Sequence, residues 1–155
     1  MKKARSTILA FAAIAMFVTA GAQAPIARGR APGGEPYLMG GVGQEEVALI
    51  QVARPSFSLS VRTATRSGAF LADVHLRIAD TDGKSVFDQD LTGPWLLIDL
   101  RPGRYTLEGS RGGEVQRQAV TVPAGGRRDL MLYFENRGEA ADPAADPLLH
   151  PPAAR

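Results

Sequence analysis

Two histidines and no cysteine in 155 residues set narrow bounds on the chemistry this chain can perform. Acid–base work near neutral pH would fall to His75 or His150, because imidazole is the side chain whose ordinary pKa lies there. His150 stands among prolines near the C-terminus. His75 lies in an alternating stretch, and a hydrolase would have to be built on it. Its plainer role is an exposed cross-strand partner of Asp90, and no catalytic residue is assigned. The missing thiols exclude cysteine nucleophiles, disulfides and zinc–cysteine sites. Asp80, Asp82, Asp88 and Asp90 offer hard oxygens of the kind calcium takes. Gly83 comes too early for an EF-hand loop, so turn and surface charge are the expected roles, with no metal and no cofactor.

Three further residues could bind rather than react. Trp95 is the only tryptophan, and an exposed indole plane beside arginines stacks on sugars or accepts a peptide. The plainer expectation is a ring that covers the end of a sheet. Arg101 and Arg104 flank a Pro-Gly turn and could hold carboxylate or phosphate groups, although turn arginines are commonly solvated. Gly40-Gly41-Val42-Gly43 precedes a helical stretch, as a phosphate cradle would. It lacks the Gly-Lys-Ser/Thr ending and a preceding strand, and Glu45 and Glu46 would repel phosphate, so a turn and helix cap are expected.

The first residues address the compartment. Lys2, Lys3 and Arg5 precede an apolar run from Ile8 to Ala20, followed by small residues to Ala24, which is the layout of a secretory signal. The run is shorter than the roughly 20 residues that cross a bilayer. Cleavage is expected after residue 22, leaving Gln23 first, with residue 24 as the alternative. No cysteine follows to carry a lipid, so no stable membrane anchor remains after cleavage, and the protein is expected to be periplasmic or extracellular. The full chain carries 18 Lys and Arg against 16 Asp and Glu, and loss of the signal leaves 15 against 16, a net −1. With its arginines scattered, such a chain is not expected to bind nucleic acid.

These candidate side chains need a scaffold. Residues 23–36, rich in Pro, Gly, Ala and Arg, read as a flexible lead, and residues 136–155, rich in Pro and Ala, as a disordered tail. Residues 37–56 read as a Gly-rich turn and one short helix over Gln44 to Ala53, with Gly43 near its N-cap and two acids favourable to its dipole. From residue 57 to 135 the hydrophobic period is two. Phe57, Leu59, Val61 and Thr63 share one strand face. Asp82-Gly83 signals a two-residue type I′ hairpin that places Ile78 opposite Phe87, Arg77 opposite Asp88 and His75 opposite Asp90. Pro94 to Leu100 is a very apolar strand with Trp95 and Leu97 on one face. Pro102-Gly103 suits a type II turn. Gly112-Gly113 makes a second hairpin that pairs Tyr105 with Val120 and Glu108 with Arg117, and Arg128 to Glu135 is the last strand. The fold expected is all-β, a seven-stranded antiparallel β-sandwich of prealbumin or Ig-like type, preceded by one short helix.

Leu100-Arg101-Pro102-Gly103-Arg104-Tyr105-Thr106-Leu107, with the preceding Asp82-Gly83 hairpin and the following Val120-Thr121-Val122-Pro123-Ala124-Gly125, resembles carboxypeptidase regulatory-like domains of the transthyretin-like sandwich type. The resemblance spans roughly Phe57 to Glu135, and its L-x-P-G-x-Y core carries no catalytic residue. Gly40 to Glu46 looks like the corresponding segment of small exported bacterial proteins of this type. The hydroxyisourate hydrolases of the same fold need two placed histidines, an arginine and a C-terminal Tyr-Arg-Gly-Ser, whereas this chain ends Pro-Pro-Ala-Ala-Arg. A non-catalytic exported module that binds a protein or cell-envelope component, by strand addition at a sheet edge, is therefore the leading expectation. A carbohydrate-binding module using Trp95, with a glycan as partner, is the alternative, and a hydrolase dependent on His75 the third.

Overall fold

A computed structural model describes residues 26–135. The expected signal segment, the start of the lead and the tail lie outside the described residues. Among the described residues nine strands form two sheets: β1 (Ala27–Arg30), β2 (Pro36–Gly40), β3 (Leu59–Thr65), β4 (His75–Ala79), β5 (Ser85–Asp90), β6 (Trp95–Ile98), β7 (Gly103–Arg111), β8 (Glu114–Val122) and β9 (Arg128–Phe134). One sheet has the order β1-β2-β6-β3-β9 and the other β5-β4-β7-β8. Helix α1 (Gln44–Ala53) and a 3-10 turn (Arg54–Ser56) connect β2 to β3.

Alternation makes the core. Leu76 and Ile78 of β4, Phe87 of β5, Leu107 of β7 and Val120 of β8 point inward from the four-stranded sheet. They meet Met39, Leu59, Val61, Leu96, Ile98, Leu130, Leu132 and Phe134 of the other sheet in one apolar cluster. Burying side chains of this size contributes about 1.5–3 kcal/mol each. A second cluster forms on the outer face of the five-stranded sheet, where Ile50 of α1 packs against Leu38, Trp95 and Leu97. Both faces of β6 are therefore buried.

The chain is mostly β with one short helix, as expected, but the number of strands and their pairing differ from expectation. Strand number is nine, not seven, because residues 27–40 fold back as β1 and β2 and add to β6. The part of the expected lead within residues 26–36 is thus a hairpin. Its composition offers little apolar area, but Ala27 and Tyr37 pack on the main core, and β2 is paired on both sides, by β1 and by β6, while β1 stays at the edge. Pairing is antiparallel except between β3 and β9, which run parallel. Phe57 leaves the face of Leu59 and Val61 and packs on the helix-side cluster, since the 3-10 turn precedes it.

Both hairpin registers hold. The β4–β5 register aligns His75 with Asp90, Arg77 with Asp88 and Ile78 with Phe87, as expected, but the loop differs. Asp80 N–H donates to the Lys84 carbonyl at 3.0 Å, leaving three loop residues, and a bulge after Ile78 absorbs the extra one. Only Gly83 has positive φ there, at 77°, whereas a type I′ turn needs two such residues. The cause is Asp80, whose carboxylate accepts from the amides of Asp82 and Lys84 at 3.0 and 2.9 Å. Gly112 and Gly113, at φ 55° and 81°, do form the two-residue turn between β7 and β8. Gly103 is the first residue of β7, opposite Val122, with φ 159°, far from the value near 80° of a type II turn's third position.

Candidate functional site

The structure separates the three residues expected to bind. Trp95 opens β6 and is only 3% exposed, so its ring is not a platform for a sugar. Ile50 shares its cluster, the Arg62 guanidinium lies 4.9 Å from its ring centroid, and that of Arg54 lies 5.9 Å away. These cation–π contacts cover what a ligand would use. The physical reason is α1, whose Ile50 needs an apolar surface and finds it on the outward side of β6. Arg101 and Arg104 come after the far end of β6, Arg101 in the connection that follows it and Arg104 on β7 of the other sheet. Arg104 lines a small hollow of about 190 Å³ with Asp80, Thr81, Tyr105, Thr106 and Ala119. Arg101 is exposed, and its carbonyl accepts the Tyr105 hydroxyl at 2.8 Å. Burial raises the pKa of Tyr105, against the opposing charge of Arg101.

The glycine-rich loop before α1 does hold an anion, and the anion is its own. Glu46 is 8% exposed, and its carboxylate accepts from the amides of Gly41 and Val42 at 2.9 and 3.0 Å. A carboxylate at the third position of a helix is well placed to reach back to preceding amides. Gly41 sits at φ 95°, and a Cβ there would run into the Trp95 ring. Glu46, Gly41, Ile50 and Trp95 therefore form one packed unit, and the loop has no amides left for a phosphate at these positions.

His75 occupies the outer face of the four-stranded sheet with both ring nitrogens engaged. Nδ1 pairs with Asp90 and Nε2 with Asp88, each at 2.8 Å. The Asp90 hydrogen bond, then Asp88, holds the imidazole pKa above its usual range, with slight burial opposing. Ser110 stands opposite His75 on β7, so Asp90, His75 and Ser110 lie in one row across three strands. That order imitates a nucleophilic triad, but a general base needs a free ring nitrogen aimed at its nucleophile. Here the second nitrogen faces Asp88. The next row on the same face is a charge ladder, with Arg77 3.9 Å from Asp88, and Arg117 paired with Glu108. Among the described residues no three His, Cys, Asp or Glu side chains gather in a metal-binding arrangement. Asp80 and Asp82 belong to the hairpin loop, away from the His75 pair.

A concave surface lies elsewhere. Between β1, β2 and the end of α1 is a hollow of about 570 Å³, lined by Arg28, Arg30, Pro36, Leu38, Ala53 and Phe57 among others. Its lining holds two guanidinium groups, aliphatic and aromatic surface, and no acid. Arg28 and Arg30 make no ion pair among the described residues, and Arg30 Nη1 donates to the Gly34 carbonyl at 2.9 Å. Sequence reading missed this site because it placed residues 23–36 in a flexible lead. The spacing Arg28-Gly29-Arg30, two like charges on one side of an extended segment, was the available signal. No helix among the described residues is long and apolar enough to cross a membrane. No family model matches the chain, and neither does any curated protein.

Proposed function

We propose that this chain is an exported, non-catalytic β-sandwich module of the transthyretin-like type that binds a protein or cell-envelope component. The observation that carries the reading is a division of labour on its surface. The concave site is lined by two arginines and apolar side chains, and the histidine lies on an open sheet face with both nitrogens committed to carboxylates. Two sheets closing over one core, with the Leu100 to Leu107 motif at the entry to β7, support the transthyretin-like assignment. The assignment to an exported compartment rests on the charged and apolar layout of residues 1–24.

Labelled protein incubated with an envelope fraction is expected to bind saturably, with excess unlabelled protein displacing it. Turnover of an ester, peptide or glycoside substrate that His75→Ala abolishes would overturn the non-catalytic reading.

A further inference from the structure

The edge of β1 combines three features that each ask for the same kind of ligand. Arg28 pairs with Leu38 across β2, and Leu38 belongs to the helix-side cluster, so both Arg28 and Arg30 project on the side of the 570 Å³ hollow. Ala27 packs inward on the main core, and Gly29 lies against the Tyr37 ring. The second feature is the backbone. Pro36, opposite Arg30, has no N–H, and its carbonyl accepts from Asp99 at 3.0 Å on the β6 side. Arg30 and Pro36 are therefore a non-hydrogen-bonded pair, and the antiparallel alternation makes Arg28 and Leu38 another. The N–H and C=O of Arg28 and Arg30 thus point away from β2, along an edge that no described strand covers. Third, the hollow beside these arginines is floored by Leu38, Ala53 and Phe57.

We infer that β1 receives an extended, acidic peptide segment of a partner protein as an added strand. This rests on the binding function proposed above and names the ligand class. Outward backbone groups at two alternate residues match the hydrogen-bonding period of a strand. A residue opposite Arg28 or Arg30 in such a pair lies on the same face as the guanidinium, so a carboxylate there forms a charge-assisted contact. The neighbouring residue on that face, two positions along, brings a large apolar side chain over the Leu38, Ala53 and Phe57 floor. The recognised pattern is an acid and a large apolar residue at alternate positions. A lipid or a free anion would use the arginines and the floor but would have no use for the outward amides.

The test is an array of Thr- and Val-rich heptapeptides in which two alternate positions vary over Asp, Asn, Lys, Phe, Leu and Ala, read by fluorescence anisotropy with the purified protein. Peptides with Asp and Phe or Leu at those positions are expected to bind best, and exchange of Asp for Asn to weaken them about fivefold. Arg28→Glu with Arg30→Glu reverses the preference to Lys. Arg28→Pro, which removes one outward N–H at an edge where proline is tolerated, weakens binding about tenfold with the unfolding curve unchanged. Amide hydrogen exchange at Arg28 and Arg30 slows about tenfold when peptide is bound.

An array on which nothing binds, or binding indifferent to both variants, overturns the inference. So does binding confined to a peptide copying residues 139–149, which would make the chain's own C-terminal segment the occupant. Dimerisation in the ultracentrifuge that Arg28→Pro abolishes would assign the edge to a second copy and likewise overturn it. An envelope partner captured equally by Arg28→Pro would leave the broader binding function standing while this inference falls.

Discussion

The outer faces of the two sheets solve the same problem differently. On the five-stranded sheet, Leu38, Trp95 and Leu97 point outward and are covered by Ile50 of α1, with Phe57 and Ala53 at the margin. On the four-stranded sheet, His75, Arg77, Glu108 and Arg117 point outward into water, where His75 pairs with Asp88 and Asp90, Arg77 with Asp88, and Arg117 with Glu108. Strand alternation dictates both arrangements, and residue type separates them. Apolar outward residues require a lid, and the lid converts a surface into a second small core. Polar outward residues require only cross-strand partners, each contributing a few tenths of a kcal/mol. Removing a contact should therefore cost much more under α1 than on the charged face.

The largest effect is expected for Trp95→Ala, which should lower unfolding free energy by about 3 kcal/mol in urea denaturation. A loss below about 1 kcal/mol would mean that the helix is a loosely held flap, and the contrast would fail. Gly41→Ala comes next, at about 2 kcal/mol, because its methyl meets the Trp95 ring at a backbone φ of 95°. Glu46→Ala should cost about 1–2 kcal/mol by leaving the Gly41 and Val42 amides without their acceptor. On the opposite face, Arg117→Ala is expected within about 0.5 kcal/mol of wild type in the same assay.

The smallest effect is a pH dependence. The raised pKa of His75 means that its contribution to stability is whole below the unfolded value of 6.5 and fades as pH rises through the folded value. His75 is about half exposed, so solvent screening limits the shift in thermal midpoint to about one or two degrees. His75→Gln should flatten that slope. On the other sheet, burial alone would raise the pKa of Asp129, but Arg54, followed by Arg127, lowers it on balance. Its contribution is present above the unfolded carboxylate value and is lost as pH falls through the folded one.

Much of this was legible from residue order. Leu76, Ile78 and Phe87 alternate with His75, Arg77 and Asp88, which assigned the inner and outer faces of β4 and β5 and the partner of His75. The Asp82-Gly83 loop type was not legible, because Asp80 is drawn into capping the turn and a bulge restores the register. Trp95 and Leu97 were assigned to one face, but alternation is silent on whether that face is open or covered. Arg28 and Arg30 were hidden by the low apolar content of their segment, which takes its order from pairing with β2, itself paired with β6.

Local pattern decided the strand periods, both hairpin registers, the span of α1 and its cap at Gly43, but not the form of the loop after β4 or of the turn before β7. Tertiary packing decided what depends on distant segments. It placed α1 over Trp95, set Gly41 against the Trp95 ring and left the edge of β1 open beside a cationic hollow. The physical reason is that periodicity specifies which side of an element is apolar, whereas the identity of the surface that buries it is set by long-range contacts that a linear pattern does not encode.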